Sequence, residues 1–176
     1  MLWDLLVFPR QPSPEWWLDR FVAVARDLEL PDNIYEARGG AFKGARGRFS
    51  NLVESRVHYA WDRKRSTLEA CDEWYSGAYL LETVPSALYI LMHYAGDPEE
   101  AIVRAVNDTK DNDTVAAIVG AAVGALHGPT GFPHRWRANL LGRTAASDDG
   151  QVFELLARAR ELFAMETAPE TEEHNK

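Results

Sequence analysis

Apolar positions along this chain recur at helical spacing, and no stretch alternates with period two between turn signals. A first helix is predicted from Ser13-Pro14-Glu15: Ser13 can cap, Pro14 suits the first helical position, and Glu15 favours the positive end of the dipole. Trp17, Phe21, Val24 and Leu28 mark one apolar face, and Pro31-Asp32-Asn33 ends the helix. Residues 79–94, YLLETVPSALYILMHY, are apolar almost all round and read as a buried helix. Thr83 is expected near its cap, Pro85 in its first turn and Gly96 at its end. Asp97-Pro98-Glu99-Glu100 opens another helix with a cap, a proline and two acids, and it runs through Ile102, Val103 and Val106. Four polar residues, Asp111 to Thr114, interrupt the pattern. The run VAAIVGAAVGAL follows, closed by Gly128 as a C-cap. Pro133 begins a short helix with Trp136 and Leu140, and residues 151–165 form a last one. The expected fold class is an all-α helical bundle: a single domain over residues 1–165, then a flexible acidic tail over 166–176.

Gly120, Gly124 and Gly128 stand four apart among alanines, which predicts a central helix packed tightly through its small face. The apolar run over 115–126 is far shorter than the roughly 18–20 residues of a membrane span. The start, MLWDLLVF, carries Asp4 and no basic region, so it does not read as a signal peptide. With 176 residues, 46% of them hydrophobic, the chain suits one domain that buries about 70% of its unfolded surface. The expectation is a soluble cytoplasmic protein with no membrane partner. Cys71 is the one cysteine, which excludes an internal disulfide and a zinc site of several thiolates.

The net charge of −8 argues against a nucleic-acid partner, since phosphate neutralisation needs a cationic surface. The charge is uneven. Residues 38–65 hold eight cations against Glu54 and Asp62, leaving the rest of the chain at −14. Such a segment can hold an anionic ligand, or it can be a solvated loop and helix face. Within it, Gly39-Gly40-Ala41-Phe42-Lys43-Gly44 lacks the Lys-Ser/Thr ending and the preceding strand of a phosphate-binding P-loop, and reads as a flexible connection. The five histidines form no His-Glu-x-x-His pattern, so no zinc-protease site is indicated.

Asp111, Asp113 and Thr114 offer three oxygen ligands within four residues at a helix start, a set that suits Mg²⁺, Mn²⁺ or Ca²⁺. The competing reading makes Asp113 an N-cap and Asp111 a solvated acid.

Taken together, residues 76–128, continuing into GFPHRWRANL, resemble the ADP-ribosylglycohydrolase family, which includes the dinitrogenase-reductase-activating glycohydrolase. The shared order is a Tyr…Glu-Thr…Pro-x-Ala-Leu helix, a Glu-Glu-Ala-Ile…Ala-Val-Asn helix, an Asp-x-Asp-Thr turn, a small-residue helix ending in Gly, and Phe-Pro-x-x-Trp. The likeness is strong over roughly residues 76–142. It implies an orthogonal all-α bundle and a two-metal Mg²⁺ or Mn²⁺ site of which Asp111, Asp113 and Thr114 are the carboxy-terminal part. It also implies a Tyr79 that contacts the ADP-ribose. In the family the metals hold the ribose hydroxyls and position the attacking water.

The family's first half supplies a Gly-Asp-Ala turn and a Thr-Asp-Asp-Thr motif, and neither occurs here. The chain therefore reads as a carboxy-terminal half with no catalytic residue of its own to name. The first expected function is a hydrolase that removes ADP-ribose from a protein or small conjugate, completed by an N-terminal half polypeptide or by a homo-oligomer. The alternatives are a non-catalytic ADP-ribose- or metal-binding module, or a helical interaction module. Two carboxylates brought together with nothing to bind would repel, which favours a kept metal site.

Overall fold

The computed structural model describes residues 1–7, 10–138 and 151–166. They fall into two compact units, Met1–Phe132 and Pro133–Lys176. The first unit contains α1 (Leu2–Val7), α2 (Pro14–Leu28), α3 (Phe49–Asp62), α4 (Thr67–Glu73), α5 (Leu80–Tyr94), α6 (Pro98–Asn107) and α7 (Asn112–His127). The second contains α8 (134–138) and α9 (Gln151–Glu166). The fold class is all-α, as the periodicity predicts. Leu140 and residues 167–176, and with them nearly all of the expected acidic tail, lie outside the described residues.

The centre of the first unit is α5. It is apolar on nearly every side and packs against α2, α3, α4, α6 and α7. Leu81, Ile90 and Leu91 are almost fully buried, and each such side chain contributes about 1.5–3 kcal/mol by leaving water. The helix begins at Leu80, so Pro85 falls in the second turn and not in the first. Proline has no N–H for the Leu81 carbonyl. Arg56 of α3, itself buried, supplies the donor through Nη1.

Around α5, the local signals hold with a few shifts. Asp97 caps α6, its Oδ1 accepting from the Glu100 N–H at 3.1 Å. Gly128 ends α7 at φ +68°. On α2 the buried residues are Trp17, Leu18 and Val22, whereas Val24 and Leu28 face solvent at 38% and 77% exposure. The buried lane turns toward α3 and α5 through Leu18 and Val22, and leaves the 24–28 edge outside.

α7 pairs most extensively with α6. Its glycines do not enforce close approach: a methyl at Gly120 or Gly124 would meet Ile102 or Phe132 at ordinary contact, 3.8 and 3.6 Å. Nor is its small face wholly packed. Ala117, Ile118 and Ala121 line an apolar groove of about 460 Å³ with Met1, Leu2 and Leu88. Among the described residues no helix is long and apolar enough to cross a membrane.

One element escapes the periodicity. β1 (Tyr35–Glu36) and β2 (Arg46–Gly47) form an antiparallel pair with Tyr35 opposite Gly47 and Glu36 opposite Arg46. Two-residue strands are too short to show alternation. Their connection is closed by Ala37 N–H to Ala45 O at 2.9 Å and Gly44 N–H to Ala37 O at 2.8 Å. Gly39 and Gly40 are therefore no loose tether. Gly40 sits at φ +66°, and a Cβ there would stand 2.1 Å from the Glu73 carbonyl at the end of α4.

Candidate functional site

The start of α7 carries the acidic turn. Asp111 is the residue before the helix, the N-cap position, and its side chain makes no capping hydrogen bond. Thr114 Oγ1 donates instead to Asp111 Oδ1 at 3.1 Å, and the Thr114 N–H donates to Asp113 Oδ1 at 2.9 Å. The expected cap at Asp113 is thus displaced by two residues. Asp113 and Thr114 are exposed, and Asp111 is half-buried. Asp111 Oδ2 is buried and accepts no hydrogen bond from the protein. A buried carboxylate oxygen without a donor is costly unless something cationic reaches it.

That turn is held from α5. The Ser76 carbonyl accepts from the Asp111 N–H at 3.0 Å and from the Lys110 N–H at 3.2 Å. Gly77, the next residue, is gripped by α5 on both sides: Thr83 Oγ1 donates to its carbonyl at 2.9 Å, and its N–H donates to the Glu82 carboxylate. Tyr75 and Ser76 take left-handed backbone at φ +79° and +40°, which non-glycine residues rarely adopt without constraint. The loop between α4 and α5 therefore couples Glu82 and Thr83 to the acidic turn.

On the other side of this loop opens a cleft of about 630 Å³, a size that suits a small ligand. Arg38, Lys43, Tyr75, Tyr79 and Glu82 line it; Asp111 does not. The Arg38 guanidinium lies 4.1 Å from the centre of the Tyr79 ring, and Lys110 Nζ lies 4.6 Å from that of Tyr75. Glu82 is only 5% exposed, and burial pushes its carboxyl above the ordinary range against the pull of Arg56, Arg38 and Lys110. Tyr79 and the acidic turn are thus joined through Ser76–Gly77 rather than by direct contact. Of the residues named from the sequence, Tyr79, named through the resemblance, lines the cleft, and Asp111, Asp113 and Thr114 stand together at the start of α7. Sequence signals missed Glu82 and Arg56, because a charged residue inside a helical pattern shows no sign of its burial. Arg38 and Lys43 were visible only as part of the basic segment.

Among the described residues no group of three or more His, Cys, Asp and Glu side chains could hold a metal ion. The donors at the α7 start are two carboxylates and a hydroxyl. Their oxygen-only chemistry and the orphaned Asp111 Oδ2 fit a hard divalent cation as a partial ligand set.

The sequence model of the ADP-ribosylglycohydrolase family matches residues 14–171. An uncharacterized protein of Archaeoglobus fulgidus is 35% identical over 99 residues, which is 54% of this chain and 30% of that protein. The ADP-ribosylarginine hydrolase Tri1 of Pseudomonas putida is 35% identical over 65 residues, 37% of this chain and 17% of that protein. The matched stretches thus span less than a third of either relative's length. No solved structure matches the chain.

Proposed function

The chain belongs to the ADP-ribosylglycohydrolase family, and from that premise we propose that it takes part in hydrolysis of an ADP-ribosyl bond, releasing ADP-ribose from a protein or small conjugate. An arginine side chain is the leaving group to test first, because one relative carries the name ADP-ribosylarginine hydrolase. Asp111, Asp113 and Thr114 would hold Mg²⁺ or Mn²⁺, with water and sugar hydroxyls among the remaining ligands. When bound, the cation supplies a Lewis acid that orients hydroxyl oxygens and makes water a better nucleophile. The chain's own residues do the positioning. Thr114 fixes the Asp111 carboxylate, the Ser76 carbonyl fixes its backbone, and Tyr79 offers a flat face to the sugar.

The observation that carries this reading is the buried, donor-less Asp111 Oδ2 at a turn tied to a ligand-sized cleft. In the proposal, further ligands come from a second polypeptide or another copy of the chain. That the acids at this turn number two among the described residues favours a second reading, an ADP-ribose- or metal-binding module without turnover. The test is ADP-ribose release from ADP-ribosylated arginine, serine and small conjugates with Mg²⁺ or Mn²⁺. Release that Asp113→Ala abolishes supports hydrolysis. No release from any substrate, or release that survives Asp113→Ala, overturns it.

A further inference from the structure

The peptide unit between Ser76 and Gly77 is held at both edges. Its N–H, on Gly77, donates to the Glu82 carboxylate of α5. Its carbonyl, on Ser76, accepts from the Asp111 N–H at 3.0 Å and from the Lys110 N–H at 3.2 Å. The two groups belong to one planar unit, and in a trans peptide they point to opposite sides. Whatever turns the N–H therefore turns the carbonyl with it. A side chain of α5 and the backbone of the acidic turn grip opposite edges of one rigid plate.

Local preference does not orient that plate. Ser76 is fully buried at φ +40° and follows Tyr75 at φ +79°, two left-handed residues in a row, neither of them glycine. Gly77 lies so close to Glu82 that an added Cβ would stand 2.7 Å from Oε2. Thr83, the next residue of α5, donates from Oγ1 to the Gly77 carbonyl at 2.9 Å and so holds the following peptide as well. A carboxylate is costly to bury, yet its bond to an N–H is stronger than a bond between neutral groups. An apolar residue at 82 would leave the Gly77 N–H, itself on a buried residue, without this acceptor. Polarising the N–H also makes the carbonyl of the same peptide a better acceptor, and this carbonyl serves two N–H groups at once.

We infer that Glu82 is the positioning residue of the acidic turn: by holding the Gly77 N–H it sets the Ser76 carbonyl, and that carbonyl sets the backbone from which Asp111 is presented. The consequence for a cation rests on the metal reading proposed above, whereas the hold on the backbone does not.

Amide hydrogen exchange of the full chain, read residue by residue by NMR in EDTA, tests the hold without a metal. Lys110 N–H has a second acceptor in Ser76 Oγ at 3.2 Å, so the effect is read at Asp111. Glu82→Leu removes the acceptor, and Glu82→Gln keeps one in its amide oxygen. Glu82→Leu is expected to speed exchange of the Asp111 N–H at least about fivefold, with a smaller change at Ala122 and Val123 inside α7, while Glu82→Gln keeps most of the protection. Gly77→Ala, which pushes the carboxylate aside from the loop, should act as Glu82→Leu does and carries the test if that variant does not fold. The inference is overturned if Asp111 exchanges at the unchanged rate in Glu82→Leu or Gly77→Ala, or if Glu82→Gln loses as much protection as Glu82→Leu. It is also overturned if Ala122 and Val123 accelerate as much as Asp111, which marks a general loss of stability. Mn²⁺ uptake by the same proteins separates the two readings. Uptake several-fold weaker in Glu82→Leu than in Glu82→Gln supports positioning for the cation, and equal uptake in Glu82→Leu and the unchanged chain overturns it. No uptake by the unchanged chain overturns the metal reading and leaves the hold on the backbone to stand on exchange.

Discussion

Arg56 Nη1 donates to the backbone carbonyl of Leu81, the carbonyl that Pro85 leaves without a donor inside α5. A buried cation on α3 thus completes the hydrogen bonding of α5, beside Glu82, which lines the cleft. Arg56→Ala leaves that carbonyl unsatisfied and is expected to cost about 2–3 kcal/mol. In a Pro85→Ala background the carbonyl regains an intrahelical N–H, so the same substitution should cost about 1 kcal/mol less. Urea unfolding of the four proteins measures the coupling, and equal costs in both backgrounds would contradict the assignment.

Gly40 holds the turn that carries Arg38 and Lys43. Gly40→Ala meets both the left-handed φ of +66° and the Glu73 carbonyl. A loss of at least about 1 kcal/mol is expected from the backbone alone. It should appear as a lower thermal midpoint. A stable Gly40→Ala protein of unchanged midpoint would show that the turn is free to move.

Glu82 should leave a mark on the pH dependence of stability. Its carboxyl is raised above the ordinary value, chiefly by burial, so the folded chain binds the proton more tightly than the unfolded chain does. Its contribution is therefore fully present below the unfolded value and declines as pH rises through the raised folded value. Measured from pH 4 upward, the stability of the unchanged chain relative to Glu82→Gln should fall and then level off. A difference that grows with pH would contradict the assignment.

Cys71 is fully buried, and burial pushes its thiol up to about 12. A thiol reagent at pH 8 should label it only as fast as the chain opens, and immediately in denaturant. Prompt labelling of the native protein would place the thiol at the surface.

Much of this architecture is legible in local chemistry. Asp97 with Pro98 caps α6 where expected, and Gly128 stops α7. The all-round apolar run of α5 predicts its central place. What escapes is decided by partners distant in sequence. Nothing near Arg56 or Glu82 announces burial; the Leu81 carbonyl left free by Pro85 and the Gly77 turn do that in three dimensions. Val24 and Leu28 keep the helical spacing of a core face yet stand outside, while Arg26 and Glu29 at the same end of α2 are the residues that meet α3, through Glu54 and Ser50. The acidic turn is legible as Asp-x-Asp-Thr, but its connection to Tyr79 through Ser76–Gly77 rests on two left-handed residues that no composition signal marks.

The proposal turns on whether the acidic turn binds a metal ion, and Mn²⁺ titration followed by electron paramagnetic resonance of the free ion reads this directly. The full chain should take up Mn²⁺ weakly, since two carboxylates and a hydroxyl leave most of the shell to water. Asp111→Asn and Asp113→Asn should each remove the binding while the helical circular dichroism spectrum stays unchanged. Mn²⁺ uptake that persists in Asp111→Asn, or no uptake by the unchanged chain, would contradict the metal-site account.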